Sequence, residues 1–205
     1  MLSPKHLLAA TALAATALLS TLQAAEGTSP WSLKLRATYL ATADKSTGAL
    51  GKDVISVSDK LIPEFDIGYR LSPSWSLELV ATIPQEHDVN LKGVGEIGSF
   101  KHLPPTLLLQ YRPQVSDLVQ PYIGAGVNYT LIFDDDLAGG AAGLESYSIG
   151  PAGQIGVDVK VADRWSVNVD VKHMLLRTDV SVAGTEVAEA RLDPWLFSLG
   201  LVYAF

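Results

Sequence analysis

The sequence contains no cysteine, so a disulfide framework, a cysteine zinc site and a thiol nucleophile are all excluded. It also has no excess of basic residues. The net charge of −7 argues against a nucleic-acid partner, which usually requires a basic face. After the first 25 residues, no segment reaches the roughly 20 apolar residues that a membrane-spanning helix needs. No linker or low-complexity tract divides the chain, so the sequence predicts one domain.

The long apolar run lies at the N-terminus. Lys5 and His6 precede the segment 7–19, whose residues are leucine and alanine except for two threonines, and small and polar residues follow it. This arrangement predicts a cleaved signal peptide over residues 1–25 and a mature chain over residues 26–205. A membrane anchor helix is the alternative, but the apolar run is short for a span. The sequence therefore predicts an exported protein.

The rest of the chain alternates in polarity with the period of a β-strand. In the segment 165–173, Val167, Val169 and Val171 fall on one face, while Asn168, Asp170 and Lys172 fall on the other. Eight segments follow this pattern: 31–41, 61–71, 75–83, 105–112, 122–133, 147–161, 165–173 and 195–205. Eight strands permit either a soluble sandwich or lipocalin-like barrel, apolar inside, or an outer-membrane barrel, apolar outside.

Charge pairing favours the membrane barrel. The polar strand faces carry both signs in near balance, as a closed lumen requires, because an unpaired buried charge is costly. We expect these residues to form a lumen charge network: Lys34, Arg36, Glu64, Asp66, Arg70, Glu78, Arg112, Asp158, Lys160, Asp170 and Lys172.

Aromatic residues and connection lengths favour the same architecture. Aromatics cluster at the predicted strand ends as two girdles, with Trp31, Trp75, Tyr111, Trp165 and Phe205 at one rim and Tyr39, Phe133, Tyr147 and Trp195 at the other. The connections alternate between short segments and the long segments 42–60, 85–104, 134–146 and 178–190. The sequence thus predicts an all-β, eight-stranded antiparallel barrel in the outer membrane of a Gram-negative bacterium, with short periplasmic turns and longer extracellular loops.

Several segments resemble the OmpW family of outer-membrane proteins, which includes alkane-uptake members. They are HLPPTLLLQY (102–111), QPYIGAGVNYT (120–130), LDPWLFSLGLVYAF (192–205), ELVATIP (78–84) and GQIGVD (153–158). The resemblance implies an eight-stranded barrel through which small hydrophobic molecules cross the outer membrane. The terminal Phe205, with Tyr203 and Leu201, also resembles the signal read by the barrel-assembly machinery.

A charged lumen would not admit a hydrophobic solute, since an eight-stranded barrel is filled by its side chains. Proline donates no hydrogen bond to a β-ladder, so Pro84, Pro104 and Pro105 predict a poorly paired wall in the outer half. We expect a solute to contact the inward apolar residues Leu40, Val80, Leu108 and Met174 and to leave sideways into the membrane. The alternative is that these prolines only end their strands.

Other functions remain open from the sequence alone: a narrow channel for small polar solutes, or a structural or receptor protein that contacts partners through its loops. His87 and His102 would meet across a hairpin, but their spacing fits no metal motif, and the acidic run 133–136, with Asp134, is typical of a solvated loop. An enzyme would have to pair Ser146 or Ser148 with His102 or His173, and no nucleophile motif surrounds them. We expect no enzyme, cofactor or metal. The expected partners are outer-membrane lipids, lipopolysaccharide and small hydrophobic solutes.

Overall fold

The computed structural model describes residues 29–42, 45–48, 55–182 and 185–205, so the predicted signal peptide lies outside the described residues. These ranges contain fifteen strands and one short 3₁₀ turn at Ala138–Gly140. The strands are β1 (Trp31–Ala41), β2 (Lys45–Gly48), β3 (Ile55–Val57), β4 (Lys60–Ser72), β5 (Trp75–Thr82), β6 (Gln85–Leu91), β7 (Gly95–Leu103), β8 (Thr106–Tyr111), β9 (Val119–Leu137), β10 (Ala142–Leu144), β11 (Tyr147–Lys160), β12 (Trp165–Met174), β13 (Arg177–Val182), β14 (Thr185–Arg191) and β15 (Trp195–Ala204).

Eight of the strands form a closed antiparallel barrel. Their order around the wall is β1, β4, β5, β8, β9, β11, β12 and β15, and β15 pairs again with β1. Closure leaves none of these eight strands with an unpaired edge, as a structure in a bilayer requires. The predicted eight-stranded barrel is confirmed. Among the described residues, no helix is long and apolar enough to span a membrane.

The long connections contain strands, which the sequence analysis expected to be loops. At the end of the barrel away from the short turns, β2, β3, β6, β7, β10, β13, β14 and the last part of β9 continue the wall outward. In β6, β7, β13 and β14, the polarity is reversed relative to the barrel. In β6, for example, His87 and Val89 are buried inside, while Glu86 and Asp88 face outward. The extension therefore has the pattern of a soluble sheet, with an apolar interior.

The outer face of the barrel is apolar and edged by aromatics. Its valines and leucines are exposed to the surroundings, as Val169 and Leu199 illustrate. At the short-turn end, aromatic rings pair across neighbouring strands: Trp31 with Tyr69, Trp75 with Tyr111 and Trp165 with Tyr203. At the opposite rim, Tyr129 stacks on Tyr147 and His173 stacks on Trp195. This is the surface of a transmembrane barrel, and the short turns mark its periplasmic end.

Candidate solute path and wall gaps

Arg36 is the centre of a buried charge network in the periplasmic half of the lumen. Its Nε lies 2.8 Å from Glu64, its Nη2 contacts Asp66 and lies 3.1 Å from Glu78, and its Nη1 lies 3.5 Å from Asp170. These side chains come from β1, β4, β5 and β12. They meet because each faces the lumen at a similar level along the barrel axis. One guanidinium therefore joins four carboxylates drawn from three other strands.

Two lysines extend this network. Lys172 Nζ lies 2.8 Å from Glu64 Oε1 and 2.6 Å from Asp170 Oδ1, and both of its partners also contact Arg36. Lys34 Nζ lies 2.5 Å from Glu78 Oε2. All of these charged atoms are buried, so each ion pair acts with little screening by water. The network fills the lumen cross-section with paired charges.

The sequence analysis did not identify Tyr122, which lies at the centre of the same region. Lys34 Nζ lies 4.8 Å from the centre of its ring, and the Arg112 guanidinium lies 4.4 Å from it. Both cations therefore make cation–π contacts with this one ring. The Tyr122 hydroxyl donates to Asp170 Oδ2 over 2.8 Å. A side chain at Gly156 would collide with this hydroxyl, so glycine is required there. Residue 122 falls on the inward face in the alternating pattern of segment 122–133, and this position was the sequence signal that could have identified it.

Arg112 and Asp158 close the periplasmic end of the network through an ion pair of 2.7 Å. Two other residues that were expected in the network do not join it. Arg70 and Lys160 are exposed at the periplasmic ends of β4 and β11, and neither forms an ion pair with any described residue. Both residues occupy strand positions whose side chains alternate toward the lumen, but the wall ends at their level. A register shift also follows Arg70. Both side chains are therefore in water rather than in the lumen.

Above the charge network, the lumen is mainly apolar, with a few uncharged polar residues such as Thr106 and Asn128 buried among the apolar side chains. The four expected path residues Leu40, Val80, Leu108 and Met174 lie in one buried cluster, which we call the middle layer. Ile62, Ala152 and Leu196 complete it. A second cluster fills the extension and is called the outer layer: Val57, Val89, Phe100, Ile132, Leu137, Leu176, Val180, Ala188, Ala190 and Leu192. The lumen thus changes from paired charges to hydrocarbon along its axis.

The wall is interrupted beside the middle layer, at the predicted prolines. The β5–β8 ladder ends at the pair Val80 and Thr106, and pairing resumes only at Gln85 and His102 of β6 and β7. Pro84 lies on one side of this interruption, and Pro104 and Pro105 lie on the other, outside any strand. We call the interruption the β5–β8 gap. A proline cannot donate to a ladder, which explains its position.

Polar side chains satisfy the backbone of the β5–β8 gap, and the sequence analysis missed them. Asn128 Nδ2 donates to the carbonyls of Pro104 and Pro105 over 3.3 and 3.4 Å and to Thr106 Oγ1 over 2.9 Å. On the other side, Gln85 Nε2 donates to the Ile83 carbonyl over 2.8 Å. The gap is therefore a hydrogen-bonded feature of the wall, with its freed carbonyls paired locally.

A second interruption of the wall lies between β11 and β13, beside Pro151. The β11–β12 ladder ends at Ala152 and Met174, while β13 pairs with β10 further out. Between them is a pocket of about 480 Å³, open on the outer surface and lined by residues that include Ile149, Leu175 and Arg177. We call it the β11–β13 gap. Ala152 and Met174 of the middle layer border it, as Val80 and Leu108 border the first gap.

The β6–β7 hairpin brings His87 and His102 together inside the extension. Their rings stack with centroids 4.9 Å apart, and Phe100 stacks on His87 at 5.9 Å. Burial lowers the pKa of His87, and it lowers the pKa of His102 to about 3. Both imidazoles are therefore neutral at pH 7. Within the described ranges, no group of three or more histidine, aspartate or glutamate residues is placed to hold a metal ion.

The residues considered for an enzyme do not meet. Ser148 Oγ accepts from the Arg177 backbone N–H over 3.2 Å, and His173 contacts the Pro194 carbonyl over 3.1 Å. In the described part of the chain, no hydrogen bond joins Ser146 or Ser148 to a histidine ring. The structure therefore offers no activated serine at these positions.

The closed barrel, its apolar outer face and its charged lumen define the class of outer-membrane β-barrel proteins. Within that class, the model of the OmpW family matches residues 31–205. The chain belongs to the OmpW family, and it is an outer-membrane protein.

Three relatives illustrate the match. The chain is 33% identical over 205 residues to Outer membrane protein W of Escherichia coli strain K12, covering 95% of this chain and 97% of the relative. It is 32% identical over 185 residues to the dibenzothiophene metabolism operon protein PahQ of Pseudomonas aeruginosa, covering 84% and 87%. Among solved structures, OprG of Pseudomonas aeruginosa superposes with a TM-score of 0.74 at 28% identity, covering 87% of this chain and 97% of that one.

Proposed function

We propose that the protein mediates passive uptake of small hydrophobic molecules across the outer membrane. The observation that carries the proposal is the change of lumen chemistry along the axis. A solute from outside meets the outer layer and then the middle layer, both of which are hydrocarbon. Further descent would bring it against the charge network around Arg36, where a hydrophobic molecule gains nothing and displaces paired charges.

The solute leaves through the wall at the β5–β8 gap. Val80 and Leu108 of the middle layer adjoin this gap on its periplasmic side. At the gap, the backbone between the apolar lumen and the bilayer hydrocarbon has no cross-strand ladder. Opening it breaks no β5–β8 hydrogen bonds. Away from the two gaps, a solute would have to separate a complete ladder, as at the nine-residue pairing of β12 with β15.

The relatives support this reading at a coarser level. PahQ is named for an operon of dibenzothiophene metabolism, and dibenzothiophene is an apolar aromatic compound. The narrow polar channel has less support, because the charge network leaves its cross-section occupied by Tyr122 and paired side chains. A receptor role has no specific observation in its favour.

Replacing the gap prolines tests the exit. Pro84→Val with Pro105→Val restores two backbone donors and favours a continued ladder, so we expect uptake of octane by cells that carry the variant to slow severalfold. Pro121→Val in the periplasmic half of β9 is the matched control and should leave uptake unchanged. Normal octane uptake by the double variant, with the barrel intact, would reject the β5–β8 gap as the exit.

The C-terminal strand carries a separate part of the proposal, which is recognition by the barrel-assembly machinery. Phe205 packs edge-on against Tyr203 with centroids 4.9 Å apart, and its backbone N–H donates to the Trp31 carbonyl over 3.2 Å. The end of the chain thus completes the β1–β15 closure. Deleting Phe205 should lower the amount of assembled barrel in the outer membrane without changing uptake per assembled molecule.

A further inference from the structure

The histidine pair lies beside the outer layer, on the route that the proposed function assigns to the solute. His87 and His102 face inward from β6 and β7 and are 0% and 3% exposed. Phe100, between them in the hairpin, belongs to the outer layer itself. The packed apolar interior of the extension has no structural need for two imidazoles, because leucine or phenylalanine would fill the same volume without polar atoms to bury.

Hydrogen bonding fixes the tautomer of His87. Its Nδ1 lies 2.8 Å from the Ser58 carbonyl oxygen, which can only accept, so Nδ1 carries the proton. The neutral ring then presents an unprotonated Nε2 as a hydrogen-bond acceptor. This Nε2 is buried and has no hydrogen-bond partner among the described residues.

His102 presents a second unpartnered atom. Its Nδ1 is buried and has no partner within the described ranges, and the ring stacks on His87. Unlike His87, it has no backbone contact that selects a tautomer, so Nδ1 can either donate or accept. The pair therefore offers one fixed acceptor beside one adaptable nitrogen. A hydroxyl group complements both, since it donates one hydrogen bond and accepts another.

We propose that His87 and His102 form a recognition site for the hydroxyl group of an apolar alcohol or phenol within the outer layer. This inference rests on the proposed function and makes it more specific, because it names the class of solute that the site selects. The alkyl or aryl part of such a solute packs on Phe100 and Leu176, and its O–H donates to His87 Nε2. A plain alkane can pack on the same side chains but leaves both nitrogen atoms unpartnered.

A binding experiment tests the site without transport. In protein labelled with ¹⁵N-histidine and held in nanodiscs, octanol should shift the His87 Nε2 resonance, while octane at equal concentration should not. His87→Phe keeps an aromatic ring in the stack and removes the acceptor. We expect it to weaken octanol binding by about 3- to 10-fold, the factor that one hydrogen bond contributes. His173→Phe, on the outer wall, is the matched control and should bind octanol normally.

Uptake assays separate this inference from the proposed function. Wild-type cells should take up octanol and octane, and His87→Phe should lower octanol uptake while octane uptake stays normal. Normal uptake of both solutes by His87→Phe, with no Nε2 shift in the wild type, would refute the hydroxyl site and leave the transport proposal standing. If the wild type takes up neither solute, the proposed function fails. A Nε2 response to Zn²⁺ but not to octanol would replace the hydroxyl site with a metal site.

Discussion

At the scale of single residues, position along the barrel axis decides what a charge contributes. Arg36 contacts four buried carboxylates. Arg70, at the periplasmic end of the neighbouring strand β4, is exposed. We expect Arg36→Met to lower the free energy of unfolding by about 3–5 kcal/mol, because it leaves Asp66 buried without an ion-pair partner and removes one of the two cations that contact each of the other three carboxylates. Urea unfolding in lipid vesicles measures this loss.

Arg70→Met is the matched control for that prediction. An exposed side chain without an ion pair contributes little, so its replacement should change the free energy of unfolding by no more than about 0.5 kcal/mol. Equal losses for the two variants would show that Arg36 has no special role in holding the lumen network together.

The histidines of the extension predict an acid sensitivity that is local. Burial lowers the pKa of His102 to about 3, with His87 and Lys60 contributing in the same direction. Unfolded histidine binds a proton below pH 6.5 and the buried ring does not, so the extension loses stability as the pH falls from 6.5 towards 3. The loss is about 1.4 kcal/mol per pH unit for one histidine.

Hydrogen exchange of the β7 amides measures this effect. Protection should fall between pH 7 and pH 5 in the wild type and should fall less in His102→Phe, while the barrel strands remain protected in both. His173→Phe should behave as the wild type. Acid-independent exchange in β7 would contradict a buried neutral His102.

At the scale of elements, alternation predicted the eight barrel strands and missed their continuation. The reason is a change of phase at the outer rim. In β9, the even-numbered residues Asn128, Thr130 and Ile132 face inward, but Asp134 has a positive φ of 51° and is exposed, and the odd-numbered Leu137 is then buried. Segments such as 85–91 have their charged residues on the outer face, and from the sequence alone these charges indicate a solvated loop. The gap prolines were visible in the sequence, but the Asn128 contacts depend on three-dimensional proximity.

The two wall gaps lead to a comparison with a built-in control. Ile83 at the β5–β8 gap and Ile149 at the β11–β13 gap are both exposed on the outer surface. Replacing either with tryptophan adds bulk at one gap only. We expect Ile83→Trp to slow octane uptake severalfold and Ile149→Trp to leave it unchanged. The opposite result would move the exit to the β11–β13 gap while keeping lateral release.

At the scale of the whole molecule, one continuous wall has two opposite arrangements of polar and apolar side chains. Its membrane part is apolar outside and filled with paired charges, and its extension is polar outside and filled with hydrocarbon. The middle layer is the only one of these three lumen regions that has apolar side chains inside and bilayer outside. A hydrophobic solute at this level would have apolar surroundings on both sides of the wall, which is the basis of the lateral release that we propose.

This division predicts that ion flow and hydrophobic uptake are independent. Tyr122 occupies the centre of the charge network, where its ring contacts Lys34 and Arg112. Tyr122→Ala removes that bulk from a polar region, so water and ions can pass, and single-channel conductance in planar bilayers should rise well above the wild-type level. Octane uptake should not change, because its route ends above the network. Tyr111→Ala, on the outer face near the same end, should alter neither measurement. A parallel loss of octane uptake in Tyr122→Ala would mean that the solute passes through the charged lumen after all, since only a shared path couples the two.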